Sequence, residues 1–302
     1  MDLKQLKYFV RVADTGSFTK AAAMLSIAQS ALSHHVRQLE VELKQTLLYR
    51  NGRGVVPTDA GQRLADYARG ILAQVQRAQD DITDYKGPPR GHVIIGMPTN
   101  VAEFLAVPLI KDFRERFPQA TISVVQGMSA TLADWLTIGR TDISLAYNPM
   151  PSAAIDMCPF LDEQMYLVGR KSAGTHAPAE PAPLGLKDLP KWPLIVPPHP
   201  NAKRTLLEVE LAALGRKLNI GLEIDGVSLS LELIRAGFGS AVFPYTIVAS
   251  QELHREFDVR PIVRPELKMS LGILTSAHQP ITPLEQAVLA RIKAMGPGVL
   301  MG

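Results

Sequence analysis

Apolar residues recur at three- and four-residue intervals over residues 3–39, the spacing of helices that each bury one face. The first apolar stripe consists of Leu3, Leu6, Phe9, Val10 and Ala13. Ser17 is suited to cap a second helix that ends at Leu25. After residues 26–28, a third helix begins near Gln29 or Ser30, and its buried positions are Leu32, Val36 and Leu39. Three short helices around a tight turn predict a helix-turn-helix head.

The outer face of the third helix is polar and consists of Gln29, Ser30, Ser33, His34 and Arg37. Short donors and acceptors followed by a cation suit the base edges and phosphates of DNA. A small helical bundle with a solvated polar face gives the same pattern, so this segment alone leaves both interpretations open.

Residues 47–58 form a hydrophobic run, a turn with Asn51-Gly52 and a second apolar run, which predicts a β-hairpin wing. Arg50 and Arg53 lie where a wing tip meets phosphates or the minor groove, although two solvated arginines on a turn are the alternative. Residues 1–58 hold eight Lys and Arg against four Asp and Glu, whereas residues 87–302 hold twenty of each. The surplus of +3 therefore comes from the first segment, which favours a polyanionic partner.

A long helix without proline is predicted from Thr58, a suitable N-cap, to Tyr85. Its apolar positions lie three or four residues apart and are Leu64, Tyr67, Ile71, Val75, Ala78, Ile82 and Tyr85. This spacing indicates the seam of a two-stranded coiled coil, with Leu64, Ile71, Val75 and Ile82 as the dimerisation residues. A single helix packed on a protein surface is the alternative. The Gly- and Pro-rich residues 87–91 then end the helix and mark a domain boundary.

The rest of the chain alternates short β-rich runs with helical stretches, which predicts α/β lobes built on a parallel, doubly wound sheet. The predicted strands are 92–97, 121–126, 142–146, 165–169, 194–196, 220–224, 239–243 and 268–276. We assign residues 1–58 to the head, 59–90 to the linker helix and hinge, and 91–302 to the α/β domain. Its two lobes comprise approximately residues 91–162 with 266–302, and residues 163–265. Loops between such lobes form a ligand cleft.

Over essentially its full length, the chain resembles LysR-type transcriptional regulators, and within that family the nitrogen assimilation control type. The residues that carry the resemblance are segments 6–9, 16–22, 29–33, 38–40 and 57–61. Ser30 departs from the family pattern, since proline usually follows Gln29, and Ala28 stands where serine is common. These departures concern base readout rather than the docking mode.

The resemblance implies a winged helix-turn-helix, a linker helix that pairs subunits and a periplasmic-binding-protein-like effector domain. It further implies operator DNA, a small-molecule effector and a second copy of the chain as partners, in a homodimer or homotetramer. RNA polymerase is a possible further partner.

Three loops between a strand and a helix start could bind the effector, because free backbone N–H groups and the helix dipole there favour an anionic or strongly polar ligand. These loops contain Thr99 with Asn100, Ser129, and Ser228. In the family, the position of Thr99 often contacts the effector. Further candidates from matching loops are Asn148, His199, Asn201, Arg204 and Tyr245. For each of these residues except Thr99, a turn or capping role is the stronger alternative.

The sequence shows little that favours catalysis, a metal or a cofactor. Cys158 is the single cysteine and is expected to be a buried small hydrophobe. The seven histidines form no HExxH motif, and no glycine-rich nucleotide loop occurs. The charged N-terminal stretch differs from a signal peptide, and no transmembrane run is seen, so we expect a cytoplasmic protein without a membrane partner. The alternatives are a regulator controlled by its abundance without an effector, and a solute-binding protein or enzyme.

Overall fold

The computed structural model describes residues 1–51, 54–83, 89–171 and 182–301. The head consists of α1 (Leu3–Thr15), α2 (Phe18–Leu25), α3 (Gln29–Leu43), β1 (Leu48–Asn51) and β2 (Gly54–Pro57). The two strands pair antiparallel, as the hairpin prediction requires. One compact apolar core joins the three helices and the wing, and its fully buried members include Phe9, Leu32 and Leu39. Leu3 is 45% exposed at the start of α1, so the predicted stripe is wrong at that position.

Side-chain caps and one glycine set the helix ends of the head. Asp2 accepts a hydrogen bond from the backbone N–H of Gln5 at 2.7 Å, and the Gln5 side chain accepts one from the N–H of Asp2 at 2.9 Å. Ser17 caps α2 with a single bond, since its hydroxyl accepts the backbone N–H of Lys20 at 3.3 Å. Gly16 ends α1 with φ of 62°, a conformation that favours glycine, and its carbonyl accepts the N–H of Val55 at 2.9 Å. The end of α1 therefore also fixes the wing.

The linker helix, α4 (Asp59–Thr83), begins at Thr58, whose hydroxyl accepts the N–H of Gly61 at 2.9 Å. Ala65 and Ala68 are fully buried, and the helix packs along α1. Small residues allow this close approach. Residues 84–88, which include Tyr85 and most of the predicted hinge, lie outside the described residues.

The α/β domain follows with the strands and α-helices given next, all within its described residues. In chain order they are β3 (Gly91–Met97), α5 (Thr99–Arg116), β4 (Ala120–Gln126), α6 (Ser129–Thr137), β5 (Ile143–Tyr147), β6 (Ile155–Arg170), β7 (Leu184–Gly185), β8 (Leu194–Val196), α7 (Ala202–Ala213), β9 (Ile220–Glu223), α8 (Val227–Arg235) and β10 (Ala241–Pro244). The chain then continues through α9 (Tyr245–Val248), α10 (Gln251–Glu256), β11 (Phe257–Val263), β12 (Lys268–Ser276) and α11 (Pro283–Met301).

One mixed sheet runs through both lobes in the order β4-β3-β5-β12-β6-β11-β7, with β10 also paired to β6. The first half of β6 pairs with β12 in lobe 1, and the second half pairs with β10 and β11 in lobe 2. Strands β3, β4 and β5 are parallel, but every neighbour of β6 is antiparallel to it. The prediction of a parallel sheet is therefore confirmed for β3, β4 and β5 but wrong for the strands around β6.

The error arises from strand β6, of which the sequence predicts only residues 165–169. Residues 156–159 form an exposed part of this strand. Because this part buries no face, its sequence lacks the alternation of apolar and polar residues that marks a strand, and it also contains Pro159. Cys158 lies in this part and is exposed, so the expectation of a buried cysteine is also wrong. The predicted lobe limits at 162/163 and 265/266 fall within β6 and in the turn between β11 and β12.

The linker helix also packs against lobe 1 of the same chain. A Cβ added to Gly70 would overlap the carbonyl oxygen of Ile138, so the two backbones are in direct contact. Arg140 pairs with Asp66 of the linker on one side of this contact. On the other side, Arg77 of the linker pairs with Asp142 and donates a 3.1 Å hydrogen bond to Gln279.

Candidate nucleic-acid interface and effector cleft

The outer face of α3 presents the polar residues that the sequence predicts. Gln29, Ser30, His34 and Arg37 are exposed, and Ser33 is half-buried. The hydroxyl of Thr19 donates a 3.1 Å hydrogen bond to the side-chain oxygen of Gln29. This bond holds the exposed Gln29 side chain beside α2 at the start of α3, where a residue that reads base edges is expected.

Glu40 connects α3 to the wing. Its carboxylate accepts the backbone N–H groups of Leu47 and Leu48 at 2.9 and 3.3 Å. These two bonds anchor the start of the wing to α3. The backbone of Arg50 lies in β1, whereas Arg53 lies outside the described residues.

The predicted seam of α4 lies on a different face from the residues that contact lobe 1. At 100° per residue, Leu64, Ile71 and Val75 lie within about 40° of one another, and each is half-buried. Tyr67 on the same face is 55% exposed. Ile82 lies in the last turn of α4. Leu64 also packs against the core of the head, so the apolar strip that remains accessible to a second helix is formed by Tyr67, Ile71 and Val75.

Four polar side chains meet where the two lobes face each other. Glu163, on the strand that joins the lobes, is fully buried. Its carboxylate accepts the Tyr147 hydroxyl at 2.5 Å, and the N–H and hydroxyl of Thr246 at 3.1 and 2.7 Å. Asn100 of lobe 1 donates to Tyr147 at 2.8 Å and to Thr246 of lobe 2 at 3.4 Å. We call Asn100, Tyr147, Glu163 and Thr246 the cross-lobe network.

The network keeps the hydroxyl group of Tyr147 protonated, so that it can donate a hydrogen bond. Burial, followed by the adjacent Glu163 carboxylate, raises the pKa of Tyr147 well above its ordinary value. The carboxylate is thus stabilised by three donors. Sequence reasoning found Asn100 but missed the other three residues. The only signal for Glu163 is a run of three polar residues, 162–164, inside an otherwise apolar stretch.

Two further candidates lie next to this network. Ser129, the first residue of α6, accepts the N–H of Tyr147 at 2.9 Å. Tyr245 immediately precedes Thr246, and its ring lies 6.2 Å from that of Tyr166. Thr99 is exposed and is the first residue of α5.

The remaining candidates lie elsewhere. Asn148 accepts the N–H of Ser270 at 3.0 Å and so joins β5 to β12. Ser228 is exposed in the first turn of α8.

A separate cluster forms at the start of α7. Asn201 caps this helix by accepting the N–H groups of residues 203 and 204 at 3.0 and 3.3 Å. Arg204 is buried and pairs with Glu208 at 2.5 Å and with Glu223 at 3.1 Å. His199 lies 3.1 Å from Glu208. Hydrogen bonding to Arg204 lowers the pKa of the Glu208 carboxyl, which strengthens the pair.

In the part of the chain that the structure describes, no group of three His, Cys, Asp or Glu side chains is placed to hold a metal ion. Within the same residues, no helix combines the length and apolar character that a membrane span requires.

A winged helix-turn-helix head joined by a long helix to a two-lobed α/β domain defines a class of ligand-responsive DNA-binding regulators. Two family models match the chain. "Bacterial regulatory helix-turn-helix protein, lysR family" covers residues 3–62, and "LysR substrate binding domain" covers residues 86–296. The chain therefore belongs to the LysR family of transcriptional regulators.

Individual relatives agree with this assignment. The nitrogen assimilation regulatory protein nac of Klebsiella aerogenes is 33% identical over 289 residues, which are 95% of this chain and 93% of that protein. This similarity supports the nitrogen-control-like subgroup. The chain is thus a DNA-binding transcriptional regulator with an effector-binding domain and is not an enzyme.

Two solved structures share the fold at low sequence identity. The crystal structure of CbnR, a LysR family transcriptional regulator, superimposes with a TM-score of 0.71 at 20% identity, over 97% of this chain and 99% of that one. Full-length CbnR in complex with its target DNA gives a TM-score of 0.56 at 21% identity, with the same coverage. These matches confirm the predicted fold class.

Proposed function

We propose that this protein binds operator DNA through the exposed face of α3 and the wing, as a homodimer or homotetramer. The observation that carries the proposal is the polar face of α3 over a buried apolar face of Leu32, Val36 and Leu39. The similar fold of CbnR, whose structure includes its target DNA, adds support. Since the partner is DNA, the expected location is the cytoplasm of a bacterial cell, where RNA polymerase is a possible further partner.

Within this interface, Gln29, Ser33 and His34 face the major groove, with Ser30 beside them at the helix start. Amide, hydroxyl and imidazole groups can each read donor and acceptor patterns on base edges. Arg37, Arg50 and Arg53 contact phosphates or the minor groove, because a guanidinium suits both. The oriented amide of Gln29 supports this division.

Assembly takes place through the seam of α4, at Leu64, Ile71, Val75 and Ile82. The half-buried side chains of the first three would be covered by the same strip of a second copy. The two heads of a dimer are then related by a two-fold axis and bind two half-sites that are related by the same symmetry.

The crevice between the lobes binds a small effector. Thr99 and Asn100 at the start of α5, Ser129 at the start of α6 and Tyr245 beside the cross-lobe network line this region. Further candidates for effector contact, outside this group, are His199, Asn201, Arg204, Asn148 and Ser228. The hydroxyl of Thr99 and the N–H groups at the start of α5 suit an anion.

A second candidate is a regulator that responds to its own abundance without an effector. It is favoured by the cross-lobe network, in which Asn100 and Thr246 already connect the two lobes through protein hydrogen bonds alone. Such a chain would have one fixed lobe arrangement.

Selection from random duplex DNA with the full-length protein tests the proposal. We expect enrichment of a motif with two related half-sites. Recovery of unrelated sequences, with no motif after repeated rounds, would reject it. Addition of a cell metabolite extract then distinguishes the two candidate functions. An effector-responsive regulator should change its affinity for the selected DNA, whereas a regulator controlled by its abundance should not.

A further inference from the structure

Lys203 takes an unusual path across the edge of lobe 2. Its helix, α7, packs through Leu207 into the core that contains Val242. The ring of Phe243, the next residue of β10, lies in the core on the other face, together with Ile234. The ammonium nitrogen of Lys203 nevertheless lies 4.7 Å from the centre of that ring. The side chain therefore crosses the end of the strands from one face of the sheet to the other.

This edge of the sheet faces lobe 1. Strand β8 runs parallel to β9 and bridges in parallel to Ser240 just before β10, so the carboxyl ends of all three strands lie together. Beyond the end of β10 comes Thr246, which accepts a hydrogen bond from Asn100 of lobe 1. The ammonium of Lys203 consequently lies at the crevice between the lobes, where open α/β sheets bind ligands.

Among the residues that the structure describes, no ion pair neutralises the positive charge of Lys203. Lys203 is half-buried, and among the described residues no carboxylate lies within ion-pair distance of its nitrogen. The adjacent Arg204, by contrast, pairs with two glutamates. The Phe243 ring attracts the ammonium but carries no net charge, and Asp225 acts on it only at longer range.

Burial lowers the pKa of Lys203 to about 8, against a weaker opposing effect of Asp225. A cation that has lost part of its hydration gains most from a bound anion, because the interaction is poorly screened. Binding of an anion to the charged form must in turn raise this pKa.

We propose that Lys203 is the residue that selects an anionic effector in the crevice, a small molecule with a carboxylate or another oxyanion group. This inference rests on the proposed function in one respect, namely that the crevice is the effector site. Thr99 and the start of α5 face the same crevice from lobe 1, so the effector would bridge the two lobes.

The test is an NMR titration of the full-length protein, whose lysines carry ¹³C-methyl groups introduced by reductive methylation with ¹³C-formaldehyde. The signal that is missing from the spectrum of Lys203→Arg is assigned to Lys203. The resonance is titrated with pH in acetate, malonate, phosphate or sulfate, and in choline chloride at equal ionic strength. We expect a pKa near 8 in choline chloride and a clear increase with at least one oxyanion. A response to acetate and malonate identifies a carboxylate, and a response to phosphate or sulfate identifies the other oxyanions.

Variants supply the second measurement. The oxyanion that raises the pKa should also raise the melting temperature of the wild type and of Lys217→Met, an exposed lysine at the opposite edge of the sheet. In Lys203→Met, which keeps the apolar contact with Phe243, the affinity for that anion should fall at least tenfold. An unchanged Lys203 pKa in every anion, or equal stabilisation of Lys203→Met, would overturn the inference. DNA binding by Lys203→Met tests the proposed function separately, since it should be unaffected.

Discussion

Single polar side chains orient the surfaces on which recognition depends. Thr19 orients the amide of Gln29, and Glu40 holds the first residues of the wing. Neither Thr19 nor Glu40 needs to contact DNA itself. In the effector domain Glu163 plays the corresponding part, because its carboxylate binds donors from both lobes.

Gln29→Ala should weaken binding to the selected operator by about 1–3 kcal/mol, with little change on random DNA, as expected for a base contact. Arg37→Ala is the matched comparison, since a lost phosphate contact should weaken both DNAs and reduce the salt dependence. Fluorescence anisotropy with labelled duplexes measures these affinities. If Gln29→Ala weakened binding to both DNAs equally, Gln29 would contact the DNA backbone and not a base.

Tyr147→Phe should lower the free energy of unfolding by about 1–3 kcal/mol, because one oxygen of the buried Glu163 carboxylate loses its donor. Urea denaturation measures the change. Tyr166→Phe provides the control, since Tyr166 is half-buried outside the cross-lobe network. Equal stability of the two variants would show that the network contributes little.

At the scale of elements, the linker helix has two distinct contact faces. Asp66, Gly70 and Arg77 lie toward lobe 1, about 100–140° around the helix from the seam centred on Ile71. The lobe contact occupies none of the seam residues, so both faces can be used at once.

Val75→Asp would introduce a charge into the paired seam, where it would be poorly solvated. The molar mass measured by sedimentation should fall by half, because a tetramer would become a dimer or a dimer a monomer. Gln62→Asp adds the same charge far from the seam and should leave the mass unchanged. An unaltered mass for Val75→Asp would place dimerisation elsewhere.

Gly70→Leu should separate the linker from lobe 1, because its side chain would overlap the backbone at Ile138. We expect faster proteolysis within the linker and a larger hydrodynamic radius. Gly298→Leu in α11 is the control, since an added Cβ there meets open space. Wild-type behaviour of Gly70→Leu would mean that the linker contact is dispensable.

The head could be predicted from local patterns, because helix periodicity, caps and a hairpin turn are all encoded within a few residues. Strand β6 could not, since its edge half has no buried face and its pairing depends on residues more than 100 positions away. Lys203 was missed for a related reason. A lysine on a helix is usually a solvated surface residue, and only the structure shows that its ammonium lies against the Phe243 ring.

At the scale of the whole molecule, one chain of contacts connects the head to lobe 1 through the linker helix. Asp14 of the head binds Arg69 of the linker at 2.5 Å, Arg69 binds Asp66 at 2.9 Å, and Asp66 binds Arg140 of lobe 1. The guanidinium of Arg140 in turn lies 3.7 Å from the Trp135 ring centre. The head, the linker and lobe 1 are therefore joined by ion pairs as well as by packing.

The central claim is sequence-specific DNA binding by the head, and one measurement tests it most directly. The affinity of the full-length protein is determined for the selected operator and for a scrambled duplex of equal length and composition, over a series of salt concentrations. The account predicts that affinity for both falls steeply with salt, and that the operator stays at least roughly 1,000-fold tighter, the lower end for specific regulators. Equal affinities for the two duplexes across the whole series would contradict it.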